Sequence, residues 1–327
     1  MKEGAALWED PRVRRLLPLL AALTLLPPAA ASGFSPGATS LGDPLFPQIG
    51  NGGYDARHYD VDLRYDPAAN RLEAGTRVLM VARSSKDLSR FSLDFQQELT
   101  VTGVSVNGSP ASFDRRVAKP RLGSDPKVTQ PAKLIVAPAA GIPAETSFSV
   151  EVAYEGEPRA MIDPDGSSEG WIRACSRPGA CDGSFTVNEP LGAQSWLPCN
   201  NHPSDKATID TTITAPASHV ALGAGELAAR TENPDGTATW AWVEDDRVPT
   251  FLLSATVGRF DLSRTAAAGL PVYGAIDAAG PAAAKRSVRR SARELPAMLR
   301  LFSARFGPYP FDSAGYVADW VPSVGYA

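Results

Sequence analysis

Few side chains in this 327-residue sequence could do chemistry, and their spacing excludes most of what they could do. The three histidines, His58, His202 and His219, are isolated, whereas a zinc site needs ligands at helical or loop spacing. His202 lies between Asn201 and Pro203 and reads as a turn residue. Asp163-Pro164-Asp165-Gly166-Ser167 has the start of a calcium loop but lacks the later ligating Glu, so it too reads as a turn. Asp245 and Asp246 are adjacent, and on a strand their carboxylates would point apart. Ser84-Ser85 and Ser167-Ser168 have no nucleophile-elbow context. Cys175 and Cys181 flank a Pro-Gly loop and read either as a small disulfide-closed loop or as two free thiols. Cys199 reads as a small buried apolar residue.

The elements that would position these residues are mostly strands. Tyr59, Val61, Leu63 and Tyr65 alternate with polar residues, and Phe148, Val150, Val152 and Tyr154 repeat the pattern. Such alternation predicts half-buried antiparallel strands. Asp66-Pro67, Asn107-Gly108, Asp165-Gly166 and Asp235-Gly236 supply the turns between them. The spacing predicts an antiparallel β-sandwich domain over 54–262. Trp240 and Trp242 share one strand face and read as core. Residues 114–131 are polar and proline-rich, which predicts a long surface loop. Residues 32–53, rich in Gly, Pro and Ser, read as a flexible lead-in.

One helix is predicted over 281–306, kinked at Pro296 and stopped by Gly307. Val288, Ala292, Leu295, Leu299, Phe302 and Phe306 would form its buried stripe. Its arginines and Lys285 read as a solvated face. Residues 315–319 read as one more strand, so 263–327 would begin a second domain too small to hold an independent core.

The net charge of −4 excludes the basic footprint that nucleic acid binding requires. Arg12, Arg14 and Arg15, the apolar run from Leu16 to Leu26 and Ala29-Ala30-Ala31 read as a signal peptide over 1–31. An uncleaved anchor is the alternative, although the run is short for a membrane span. Either way the protein is expected to be secreted or extracytoplasmic.

Three segments, in order, carry a resemblance. They are Phe91-Ser92-Leu93-Asp94-Phe95 followed by Leu99 to Gly108, then Asn188 to Ala207, and Phe306-Gly307-Pro308-Tyr309-Pro310-Phe311-Asp312. The middle one, with Asn188-Glu189-Pro190 and Leu197-Pro198-Cys199-Asn200-Asn201-His202-Pro203, is the most specific; Asn201 stands where the family usually has Asp. Together they resemble the N-terminal portion of the aminopeptidase N family of zinc metallopeptidases. The resemblance implies a mainly β, saddle-like antiparallel β-sandwich domain followed, at 263–327, by the start of a thermolysin-like α/β catalytic domain.

It also implies zinc as the cofactor of the complete enzyme, held by a His-Glu-x-x-His helix that serves to activate water. No such motif occurs in these 327 residues, so this chain by itself is expected to bind no zinc and to be inactive. The ligands implied are peptide N-termini. Glu189 matches the family's Glu that grips the substrate's α-ammonium, and Tyr326-Ala327 would lead into a second gripping strand. The alternative function is a non-catalytic secreted β-domain that binds peptides or a partner protein.

Overall fold

The computed structural model describes residues 33–119, 125–177 and 179–321. The signal peptide expected at 1–31 and the Tyr326-Ala327 position lie outside the described residues.

Alternating sequences build the largest sheet, which has nine strands. Its spatial order is Glu226–Glu232, Thr237–Pro249, Lys206–Pro216, Tyr54–Asp66, Arg77–Ser84, Ser147–Glu155, Thr100–Val106 and Ser109–Pro110, with Arg71–Leu72 paired to Tyr54–Asp66. The pairing is antiparallel except at the centre, where Lys206–Pro216 runs parallel to Tyr54–Asp66. A hairpin cannot join parallel neighbours, and the chain between these two strands supplies most of two smaller sheets. One is four-stranded: Ser35–Pro36, Leu88–Asp94, Ala132–Ala137 and Ser112–Val117. The other has five strands: Ala160–Ile162, Ser168–Arg177, Ala180–Val187, Thr256–Gly258 and Val220–Leu222.

Both smaller sheets pack on the large one through aromatic rings. Phe91 of the four-stranded sheet meets Tyr54 and Phe148 of the large sheet with centroids 5.8 and 5.2 Å apart. Trp171 of the five-stranded sheet meets Tyr65 edge-on at 5.0 Å. Edge-to-face geometry adds to the burial of these large rings. Trp240 and Trp242 are both buried, and the Trp242 indole N–H donates to the Ala221 carbonyl at 3.1 Å. The architecture is mainly β and sandwich-like.

A third unit follows. Phe260–Ala267 and Leu270–Asp277 form a hairpin, and Ala314–Ala318 joins Leu270–Asp277 in parallel after two helices, α1 (Ala282–Ala292) and α2 (Leu295–Phe306). The single kinked helix is therefore corrected to two. The break falls at Arg293-Glu294, and Pro296 sits in the first turn of α2, where its missing N–H is harmless. Gly307 ends α2 at φ 103°, a conformation glycine tolerates. The expected buried stripe is also corrected: Leu299 is buried, but Phe302 and Phe306 are 55% and 84% exposed. Leu299 packs with Ala267 and Val272, too small a set to cover the whole stripe.

Two further expectations fail, one because a buried strand needs covering and one because an exposed edge strand pairs through its backbone. Residues 33–53 are not a flexible lead-in: Ser35–Pro36 pairs with Leu88–Asp94, and Ile49 and Asn51 are buried. Within 114–131, Ser112–Val117 is a strand on Ala132–Ala137. Their composition favours irregular chain locally, but Leu88–Asp94 has apolar Phe91 and Leu93 on one side and buried Ser92 and Asp94 on the other. Both faces of that strand need covering.

Asp94 is fully buried and pairs with Lys133 Nζ at 2.5 Å. Its other oxygen, Oδ2, accepts from Asn51 Nδ2 at 2.7 Å, Gly50 N–H at 3.2 Å and Asn201 N–H at 3.0 Å. Lys133 also donates to the Gly50 carbonyl and to Asn51 Oδ1. Removing one partner of such a pair strands a buried charge. Lys133→Ala is therefore expected to lower unfolding free energy by about 3–5 kcal/mol in urea titration; a loss under about 1 kcal/mol would contradict this account of the pair.

Candidate functional site

The strand Ala180–Val187 ends at Asn188, and the chain turns through a cis Glu189–Pro190 bond into a single 3₁₀ turn, Gly192–Ser195. Glu189 is exposed, while its neighbours on both sides are fixed. Asn188 is buried, with Nδ2 donating to the Leu253 carbonyl at 2.6 Å and Oδ1 accepting from Trp196 Nε1 at 3.0 Å. The Asn188 carbonyl accepts from Gly192 N–H at 2.9 Å and closes the turn. A side chain at Gly192 would meet Val187 O at 2.3 Å and Gly170 N at 2.4 Å, so only glycine lets the loop cross the neighbouring strand.

Beneath the loop lies Glu169. Its Oε2 accepts from both Leu191 N–H and Gly192 N–H at 2.8 Å, and its Oε1 is buried with no partner among the described residues. Burial first, then Asp163 and Asp165, push this carboxyl up to about 7, against the two backbone donors that favour its charge. From the other side, Asn201 Nδ2 donates to the Leu191 carbonyl at 2.9 Å, and Asn201 Oδ1 accepts from Thr250 Oγ1 at 2.8 Å. An ionised Asp, usual in the family the sequence resembles, could not make the first of these bonds. Asn201 N–H in turn donates to Asp94, which ties the Glu189 loop to the buried ion pair.

The other sequence candidates do not converge on this loop. His202 Nδ1 meets Ser204 Oγ at 2.7 Å in a turn, with Nε2 3.5 Å from Asp43. His58 meets Thr208, and His219 meets Ser218. Asp163 Oδ1 accepts from the backbone of Asp165 and Ser167, the hydrogen bonds of a turn. Cys175 and Cys181 face each other across their hairpin and are disulfide-bonded. Cys199 is buried, which pushes its thiol up and leaves it a packed residue. No group of three or more His, Cys, Asp and Glu among the described residues could hold a metal ion.

Glu169, Asp94, Lys133 and Thr250 escaped the sequence reading. Asp94 sits in a quoted motif but looks like an outward polar residue of an alternating strand. Glu169 and Thr250 have no periodic context at all. The one available signal was Asp94 and Ser92 recurring within an otherwise apolar stretch, Phe91 to Phe95.

The site can thus present one exposed carboxylate on a loop held from three sides. This sandwich matches the N-terminal domain of a class of metallopeptidases. The family description "peptidase M1 N-terminal domain" matches residues 55–252, and the chain belongs to that family. Among solved structures, it is similar to a two-domain M1 zinc metallopeptidase mutant bound to L-arginine, at 27% identity and TM-score 0.68. It resembles equally the Deinococcus radiodurans M1 zinc metallopeptidase mutant bound to a Tyr-Ser-Ala substrate, at 27% identity and TM-score 0.68. Each match covers 84% of this chain and 59% of the other, so the chain spans less than two thirds of these relatives. A search of curated proteins gave no match.

The Glu169 environment generates a prediction. Its folded-state value of about 7 lies above the ordinary 4.5, so the folded form holds a proton that the unfolded form has lost. Between those values stability falls as pH rises, by this group's share. Glu169→Gln keeps an acceptor for both N–H groups but cannot ionise. Denaturant unfolding at pH 5 and pH 8 is expected to show the variant gaining on the unmodified protein at pH 8; a constant difference would refute the placement of that charge.

Proposed function

We propose that this chain is the N-terminal portion of an exported zinc aminopeptidase, and that Glu189 accepts hydrogen bonds from the free α-ammonium of a peptide substrate. The observation that carries this is the loop itself: an exposed carboxylate on backbone clamped by Asn188, Glu169 and Asn201, so that it is held in place before substrate arrives. A charge-assisted bond to an ammonium is strongest when the acceptor needs no reordering. The similar metallopeptidase with a bound tripeptide supports a peptide substrate. Zinc belongs to the complete enzyme in this reading. It would supply a Lewis acid and activated water there, and the described residues contribute binding and orientation of the amine.

Export is part of the proposal. The basic and apolar N-terminal segment supports it, as does the Cys175–Cys181 bond, since disulfides persist in oxidising compartments. Among the described residues no helix is long and apolar enough to cross a membrane. The division at about residue 263 between the β-domain and the first elements of a catalytic domain is likewise proposed.

In the complete enzyme, Glu189→Ala is expected to raise KM and lower kcat for aminoacyl substrates, reducing kcat/KM about tenfold to a hundredfold. Unchanged kinetics in a folded variant would remove Glu189 from the site. The chain of 327 residues is expected to release no N-terminal residues from peptides, and zinc-dependent turnover by it would contradict the reading.

A further inference from the structure

A second feature lies away from the Glu189 loop. A cleft of about 380 Å³ opens between the Thr237–Pro249 strand and the segment Tyr309–Val317. Five aromatic residues line it, Trp242, Tyr273, Tyr309, Phe311 and Tyr316, together with one buried acid, Glu244. No residue of the Glu189 loop reaches it.

Glu244 is only 8% exposed, and its Oε1 accepts from Asp246 N–H at 3.0 Å. Among the described residues it forms no ion pair, and the charges that act on it are the carboxylates of Asp246, Asp312 and Asp245. Burial and then those neighbours push its carboxyl up. Tyr309 lines the same cleft as Glu244, and its hydroxyl is raised by burial and then by that acid. An acid in this position lacks a counter-charge, and the ring faces around it are themselves negative. The Arg264 guanidinium lies over Tyr273 at 5.6 Å and forms no ion pair with Glu244.

The Glu244 carboxylate in the lining, with Asp246, Asp312 and Asp245 acting on it, opposes an anion, and a neutral apolar group would leave Glu244 desolvated and unpaired. A metal ion is disfavoured, because no group of ligands among the described residues could hold one. An organic cation satisfies both the acid and the rings. The volume suits a single long side chain.

We propose that this cleft binds a guanidinium or alkylammonium group, such as an Arg or Lys side chain of a peptide, with Glu244 as counter-ion and Trp242, Tyr309 and Tyr316 as aromatic walls. The cleft is a site separate from Glu189 and does not depend on the amine-binding role given to that residue.

Nα-acetyl-argininamide tests this, because its blocked amine offers nothing to Glu189. Titrated into the full chain and followed by tryptophan fluorescence and calorimetry, it is expected to bind saturably, and uncharged Nα-acetyl-norleucinamide is not. Glu189→Gln is expected to leave binding unchanged, whereas Glu244→Gln weakens it at least about tenfold. Should Glu244→Gln fail to fold, Tyr309→Leu, at a partly exposed position, is expected to weaken binding about threefold or more. No saturable binding to the folded chain, equal binding of the norleucine compound, or full affinity in either folded cleft variant would overturn the proposal.

Discussion

Asp94 carries its charge where no water reaches it, and much of the architecture can be understood as compensation for that. Lys133 neutralises it from the adjacent strand at 2.5 Å. Gly50, Asn51 and Asn201 occupy its remaining oxygen from two other parts of the chain. A buried pair adds little net stability over an apolar core, but it penalises arrangements in which any partner is displaced. In this fold it joins the four-stranded sheet, the segment before Tyr54 and the Asn200-Asn201 turn at one point.

The consequence reaches the candidate site through Asn201. That residue faces Asp94 with its backbone N–H and the Glu189 loop with its side chain. Glu169 holds the same loop from the five-stranded sheet, and Asn188 anchors it to Leu253. The five-stranded sheet through Glu169, the four-stranded sheet through Asp94 and Asn201, and the Leu253 backbone therefore fix a loop that carries one exposed acid. The Asn at 201, a departure from the usual Asp, fits this role because Leu191 requires a donor. The position of this loop comes from the scaffold that holds Asn188, Leu191 and Gly192.

The long strands were legible because most of those in the large sheet bury one face, and a half-buried strand writes period two into its sequence. Tyr54–Asp66 and Ser147–Glu155 are of this kind, although alternation alone could not show that Tyr54–Asp66 runs parallel to Lys206–Pro216. Leu88–Asp94 was misread in its surroundings because it is buried on both faces, the second under residues whose Gly, Pro and Ser content signals irregular chain. The helix stripe was misread for the opposite reason: periodicity marks apolar residues, yet Leu299 is the one residue of α2 that is buried. Glu189 is singled out only by motif resemblance. Glu169 was not legible, since nothing local announces that a Glu 20 positions upstream will receive two loop amides.

The most direct test of the central claim is native-state amide hydrogen exchange at Leu191 and Gly192, whose N–H groups both bond to buried Glu169. If the loop is held as described, these amides are protected nearly as well as those in the central strands Tyr54–Asp66 and Lys206–Pro216. Exchange as fast as that of an exposed turn such as Asn107-Gly108 would mean that Glu189 rides on a loose loop, and the account of a positioned carboxylate would fail.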